Sequence, residues 1–434
     1  MIVNFSIQNY KSVNDNITLT FEPSNAKELS NYYLTEPIPG TKLLKIGLIY
    51  GPNGSGKTTI LKALDLLRDL VLEPADKKSD ALQVTPFLFS PTTQHANTKF
   101  ALEFIQNQVR YEYTLELNNK AIVDEKLFYF ASAKKSTVFH RTTDTQKQLS
   151  TITFGSRIRI NKNHKEILEA NTLWNNTVLG GFLKTNIDAH ELREATTWFK
   201  EVLMPLITPR TDLLGFISAK IENQEIQKES MLTYLQKADF KISDITLKNK
   251  NLQLGEGYEQ TFNTNNLHSP LTQSLGKQPA KEIWFKHSIP QAPADQSYEI
   301  IYDQESQGTQ RYYQFSGILD LMIRQQHICA IDELESSLHP DLTKHFLLVF
   351  LANVKHSQLI ATTHYRELLM ERDIIRHDAI WFTDKKDDGS TDLYSLADFD
   401  SSIIRKDTGS IYNAYKTGKL GANPIIQDYH ITTD

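Results

Sequence analysis

The segment Gly51-Pro52-Asn53-Gly54-Ser55-Gly56-Lys57-Thr58-Thr59 constrains this chain more than any other. It fits the pattern G-x-x-x-x-G-K-[ST] without exception. Glycines at these spacings let successive backbone N–H groups turn inward around phosphate oxygens, and a helix that follows adds the positive end of its dipole. The flanks supply that context. Leu44 to Tyr50 is nearly continuous in apolar residues, the pattern of a strand buried on both faces. Thr58 to Leu70 places Ile60, Leu61, Leu64 and Leu67 at helical spacing, and Val71 continues the series. Strand, glycine loop and helix together predict an ATP cradle built from Gly51 to Thr59. In it Lys57 neutralises the β- and γ-phosphates and the Thr58 hydroxyl ligates Mg2+.

A second signal lies far downstream in Ile328-Cys329-Ala330-Ile331-Asp332-Glu333, an apolar strand that ends in two carboxylates. Strand ends are where an α/β sheet exposes its chemistry. Asp332 is expected to hold Mg2+, mainly through water, and Glu333 to polarise the attacking water as general base. Cys329 is the one cysteine of the chain, and its apolar neighbours predict a buried structural position. With 52 acidic and 47 basic residues the net charge is -5, so no overall positive excess announces nucleic-acid binding. A local basic groove stays open on these grounds. No segment is apolar for the eighteen or so residues of a membrane span. The N-terminus alternates apolar and polar like a strand and lacks the features of a signal peptide, which predicts a soluble, cytoplasmic protein without a membrane partner.

The order of these motifs is similar to that of the ABC/SMC/RecF group of ATPases. Leu334-Glu335-Ser336-Ser337-Leu338-His339-Pro340 resembles the D-loop of that group, and Gln358-Leu359-Ile360-Ala361-Thr362-Thr363-His364 resembles its strand ending in the switch histidine. The resemblance implies that His364 contacts the γ-phosphate; on residues alone, a histidine after a strand reads as structural. Glu305-Ser306-Gln307-Gly308-Thr309-Gln310-Arg311 is similar to the signature motif. It departs at Glu305, where the group often has leucine, and it lacks a second glycine. Taken alone, Ser306 and Gly308 read as a helix N-cap; the resemblance implies that they contact ATP held by a partner subunit, and hence a homodimer of heads or a higher assembly built from it. Ile7-Gln8-Asn9-Tyr10-Lys11-Ser12 resembles the first strand and turn of such heads, where this region lies beside the nucleotide. Gln83 and Gln94 stand in the region of the Q-loop, and neither has the local pattern of its glutamine.

A narrower resemblance covers most of the chain. Pro86-Phe87, Tyr111 and Tyr113, Glu125-Lys126-Leu127, Ala238-Asp239-Phe240-Lys241-Ile242, Ser336-Ser337-Leu338-His339-Pro340 and the ending Tyr415 to Pro424 together resemble the RloA/AbiLi-like ATPases. That family implies a bacterial phage-defence or abortive-infection operon, a separate effector protein such as a nuclease, and a DNA or phage-protein trigger. The implied fold is an α/β P-loop NTPase of ABC/SMC head type, a mixed sheet flanked by helices with a strand-rich N-terminal subdomain and an inserted helical subdomain.

Patterning places the parts. Residues 1–160 are expected to form an N-terminal ATPase lobe with antiparallel strands, among them Val109 to Leu117, where Tyr111, Tyr113, Leu115 and Leu117 share a face. Residues 161–245 read as the inserted helical subdomain, with helices at Glu191 to Met204 and Glu225 to Ala238, and residues 246–434 as the C-terminal lobe. Within the latter, Asn249 to Ser297 reads as strands joined by loops or a mobile connection. Asp384, Asp387, Asp388 and Gly389 read as a hairpin turn, and with about 70 residues after His364 there is little room for a fused nuclease. A DNA-clamping repair or replication factor is the alternative function; the scattered lysine pairs Lys77-Lys78, Lys134-Lys135 and Lys385-Lys386 read as solvated turns.

Overall fold

A computed structural model describes residues 1–131, 134–249, 281–289, 296–371, 374–399 and 408–423. The chain divides into two compact units, one of Met1–Leu206, His327–Glu333 and Gln358–Asp434, the other of Ile207–Gln326 and Leu334–Ser357.

The first unit is organised by a five-stranded sheet in the order Ile328–Ile331, Gln358–Thr362, Ile46–Tyr50, Ile380–Lys385 and Thr391–Ser395. The first four strands are parallel and the last pairs antiparallel as a hairpin. The three strands Ile46–Tyr50, Ile328–Ile331 and Gln358–Thr362 are buried at every position, as a parallel sheet covered on both faces requires. Register aligns their carboxyl ends: Ile331 faces Ala361, Thr362 faces Ile49 and Phe382 faces Tyr50. The apolar run expected from Leu44 is divided at Lys45, whose N–H bonds Tyr33 while its carbonyl accepts from Leu359, so the preceding residues Thr41–Leu44 pair elsewhere. Helix Lys57–Leu72 follows the glycine loop and buries Ile60, Leu61, Leu64, Leu67 and Val71. Its far end is tied to the segment after the helical turn Trp198–Val202. Arg68 Nε donates to the Leu203 carbonyl at 2.9 Å and Asp65 accepts the Leu206 N–H at 2.9 Å.

A seven-stranded antiparallel sheet completes this unit, with Ile2–Gln8 next to Ile17–Thr20 at one side and Leu149–Phe154 at the other. Tyr111, Tyr113, Leu115 and Leu117 are buried on one face, the period-2 outcome of their spacing. The opposite face is a lattice of ion pairs, Lys99 with Glu116, Arg110 with Glu103, Lys126 with Asp124 and Lys135 with Glu112, and Asp124 also hydrogen-bonds His140.

The second unit packs helices Leu214–Glu222, Lys228–Lys237, Gln307–Arg324 and Pro340–Asn353 with the antiparallel strands Ile242–Asn249, Lys281–Ile289 and Gln296–Ile301. The segment 161–245 is helical over much of its length and is shared between the units at Leu206 and Ile207. Of the stretch Asn249 to Ser297, residues 250–280 and 290–295 lie outside the described residues, as does Pro424. Among the described residues no helix is long and apolar enough to cross a membrane.

Candidate functional site

The glycine loop leaves the carboxyl end of strand Ile46–Tyr50 and enters helix Lys57–Leu72 through Gly56, whose φ of 108° is a conformation L side chains rarely adopt. A Cβ there would also strike Thr391, and one on Gly51 would strike Thr383, so both glycines are fixed by close approach of neighbouring strands. The contacts are polar. Thr383 Oγ1 and Ser55 Oγ are 2.6 Å apart, and Thr391 Oγ1 bonds the Ser55 carbonyl and Ser12 Oγ, each at 2.8 Å. Ser12 Oγ in turn reaches Thr59 Oγ1 at 3.1 Å, which sets the N-terminal turn against the start of the helix. Gly56 has no side chain with which to cap that helix, so its first-turn N–H groups present the positive dipole end to an anion.

Lys57 is buried, and its ammonium donates to the carbonyls of Gly51 at 2.9 Å and Pro52 at 3.1 Å, so the cation lies along the inner edge of the loop. On the other side of the helix start, Thr58 Oγ1 lies 3.0 Å from both Asp332 carboxylate oxygens. Thr362, at the end of the neighbouring strand, donates to Asp332 Oδ1 at 2.7 Å and accepts the Glu333 N–H at 2.8 Å. Asp332 is thereby buried with its donors while Glu333, one residue on, is exposed. Glu333 has φ of 52°, a left-handed conformation uncommon for a residue with a side chain and costing about 1 kcal/mol or more. Its bond to Thr362 holds that turn. Thr363 N–H continues to the Ile49 carbonyl, and His364 follows, exposed at the same sheet edge.

Oxygen donors of this kind suit a small hard cation. A hydroxyl and a carboxylate are few protein ligands, as befits Mg2+, which keeps waters and takes substrate phosphate oxygens. Among the described residues no group of three His, Cys, Asp or Glu side chains could form an all-protein cage. On the buried flank of the same helix, burial pushes the Asp69 carboxyl up to about 7, the charges of Asp65 and Glu73 add to this, and Arg68 opposes it.

The structure thus brings Gly51 to Thr59, Asp332, Glu333 and His364 to one edge of the first unit. Ser306 and Gly308 belong to the second unit. There Ser306 caps helix Gln307–Arg324, its hydroxyl accepting the Thr309 N–H at 3.1 Å, and a Cβ on Gly308 would meet the Ser337 carbonyl at 3.4 Å. Gln94 spends its amide on the Leu88 carbonyl at 2.6 Å. Sequence reasoning gave no role to the hydroxyls of Ser12, Thr362, Thr383 and Thr391, although the resemblance set Ile7 to Ser12 beside the nucleotide; for Thr362 and Thr383 the signal available was a hydroxyl residue closing or interrupting an apolar strand.

A protein-family model described as "AAA domain, putative AbiEii toxin, Type IV TA system" matches residues 48–371. A comparison with curated proteins finds no match. Among solved structures, the SMC head domain from Thermotoga maritima is 13% identical, with 91% of this chain and 98% of that chain covered and a TM-score of 0.39. An SMC head bound to the C-terminal winged-helix domain of ScpA is 14% identical, with 91% and 97% covered and a TM-score of 0.40.

Proposed function

The chain belongs to the AAA-domain family whose model spans its residues 48–371, and from that premise we propose that it is an ATP-binding and ATP-hydrolysing switch. The observation that carries the reading is the chain of bonds Thr58–Asp332–Thr362–Glu333, which ties the end of the glycine loop to two acidic residues at one strand end through a threonine at the end of the neighbouring strand. Loop N–H groups and Lys57 bind the phosphates, and Glu333, exposed beside the buried Asp332, takes a proton from the attacking water. A magnesium ion, held by Thr58 and Asp332, would neutralise phosphate charge. His364 is assigned to the γ-phosphate end, and Ser306 with Gly308 to the nucleotide of a second copy. Positioning and charge neutralisation carry most of the catalysis, so turnover is slow unless a partner stimulates it.

The family's printed description names a putative toxin of a toxin–antitoxin system. That description and the RloA/AbiLi-like motifs support a defence role, in which ATP-driven closure of two heads controls a separate effector in the cytoplasm. The ion-paired outer face of the antiparallel sheet favours this over a DNA clamp, because its lysines and arginine are already matched with carboxylates. Molar mass measured by light scattering tests the switch. Mg·ATP is expected to double the mass and ADP to leave it unchanged; a mass identical in ATP, ADP and no nucleotide would reject ATP-driven head closure.

A further inference from the structure

A cleft of about 480 Å³ opens beside the glycine loop, lined by Gly51, Pro52 and Asn53 of the loop and, among others, by Arg366, Tyr415, Asp384 and the exposed Lys385. The Lys57 ammonium, itself outside the lining, rests on the carbonyls of Gly51 and Pro52, two residues of that wall, which sets the loop's cation next to the cleft. Arg366 is half-buried, and its guanidinium carbon stands 5.7 Å from the centroid of the Tyr415 ring. That ring is itself fixed. It stacks on Phe382 at 5.4 Å, meets Tyr50 edge-on at 6.1 Å, and its hydroxyl donates to the Ala422 carbonyl at 3.0 Å. The platform is held from below as well, because Asp384 accepts the Ala422 N–H at 2.8 Å and Tyr394 donates to the Leu420 carbonyl at 2.8 Å.

Among the described residues no hydrogen bond or ion pair engages the Arg366 side chain, and its guanidinium lies against the Tyr415 ring. A guanidinium laid on a fixed ring, with its donors unspent and lining the same cleft as a phosphate loop, is preorganised for an anion. We propose that Arg366 is a nucleotide-contact residue that grips the terminal phosphate of ATP and makes the site discriminate ATP from ADP. This rests on the nucleotide reading of the glycine loop. It adds a second cation from the strand-end turn to Lys57 from the loop, and it gives the carboxyl-terminal segment Tyr415–Asn423 a role as the support of that cation. The hairpin that carries Asp384 also carries Thr383, so the same strand fixes the loop and the platform.

Equilibrium binding of ATP, ADP and AMP in Mg2+, without turnover, tests the assignment in wild type, Arg366→Ala, Arg366→Lys, Lys57→Ala and Lys385→Ala. Arg366→Ala is expected to weaken ATP about 10- to 100-fold, the effect of one charge-assisted contact, while ADP changes less than about 3-fold. Arg366→Lys restores part of the preference, because it returns the charge without the fork. Thermal unfolding without nucleotide should match wild type for both variants. An equal loss for ATP, ADP and AMP in Arg366→Ala would overturn the proposal by placing the residue elsewhere on the nucleotide. So would unchanged ATP affinity in Arg366→Ala, or a loss of preference in Lys385→Ala in its stead. Lys57→Ala separates the two levels: if it binds ATP as wild type does, the loop reading itself fails; if it loses ATP while Arg366→Ala does not, the inference about Arg366 alone fails.

Discussion

Two polar networks lie in the first unit, and they are built on opposite plans. At the sheet edge, hydroxyls of Ser12, Ser55, Thr58, Thr59, Thr362, Thr383 and Thr391 hold the loop and Asp332, while the groups assigned to chemistry, Glu333 and His364, are exposed. In the antiparallel sheet, Glu125 and Arg141 are both wholly buried. Glu125 accepts the Val178 N–H at 2.8 Å and the Tyr113 hydroxyl at 2.8 Å, and Arg141 donates to carbonyls of Ile122 and Trp174 and to Ser150. The second network closes on itself. Its charges meet protein partners only, so they act on stability. The first buries Lys57 on loop carbonyls and Asp332 among hydroxyls, and leaves Glu333 and His364 exposed at its mouth, which is the arrangement of a site open to a charged ligand. Burial and charge alone would have pointed to Glu125; where the remaining donors and acceptors face separates the two.

The sharpest way to break this contrast is Glu125→Ala. It strands the Val178 N–H and the Tyr113 hydroxyl and, at pH 8 where Glu125 is ionised, leaves the Arg141 charge uncompensated, so chemical denaturation at that pH should show a loss of about 3 kcal/mol or more. ATP affinity of the fraction that folds should be unchanged; a specific loss of ATP binding at full stability would merge the two networks. Next in size, Thr362→Val removes the acceptor of the Glu333 N–H and a donor to Asp332. A stability cost of about 1–2 kcal/mol is expected, together with a larger fall in phosphate release than in ATP affinity. If release and affinity fall together, Thr362 supports binding only. A third test is one of pH. Burial raises the Glu125 carboxyl from the ordinary 4.5 to about 7, against the pull of Arg141 and the Val178 N–H. The folded chain therefore holds a proton that the unfolded chain has released, and this group's contribution to stability falls as pH rises from about 4.5 to about 7, with a slope on the order of 1 kcal/mol per pH unit. Glu125→Gln should flatten that slope when denaturation midpoints are compared at pH 5 and 7; an identical slope in the variant would assign it to other groups.

Much of the edge network was legible in the chain because its parts are local. Gly51 to Thr59 declares a cradle through spacing, and Ile328 to Glu333 declares a strand end through the switch from apolar to acidic residues. Likewise Tyr111, Tyr113, Leu115 and Leu117 give their buried face by period 2, and the turn at Asp387 to Gly389 gives the hairpin. What stayed hidden depends on register between distant segments. Nothing near Thr383 or Thr391 announces that both will press on glycines of the loop, because that contact arises only when Ile380–Lys385 pairs beside Ile46–Tyr50. The helical pattern of residues 161–245 likewise reports faces along helices and carries no mark of the division at Leu206, since periodicity does not say which core a face joins. Arg366 was hidden for the same reason: its platform comes from Tyr415, about 50 residues on.

The central claim is that the edge carrying the loop, Asp332 and Glu333 hydrolyses ATP with Glu333 as base. Phosphate release by wild type and Glu333→Gln at saturating Mg·ATP, with ATP affinity measured alongside, tests it most directly. The account predicts release about 100- to 1,000-fold slower in Glu333→Gln with affinity kept within about 3-fold. Release at the wild-type rate in Glu333→Gln would contradict it.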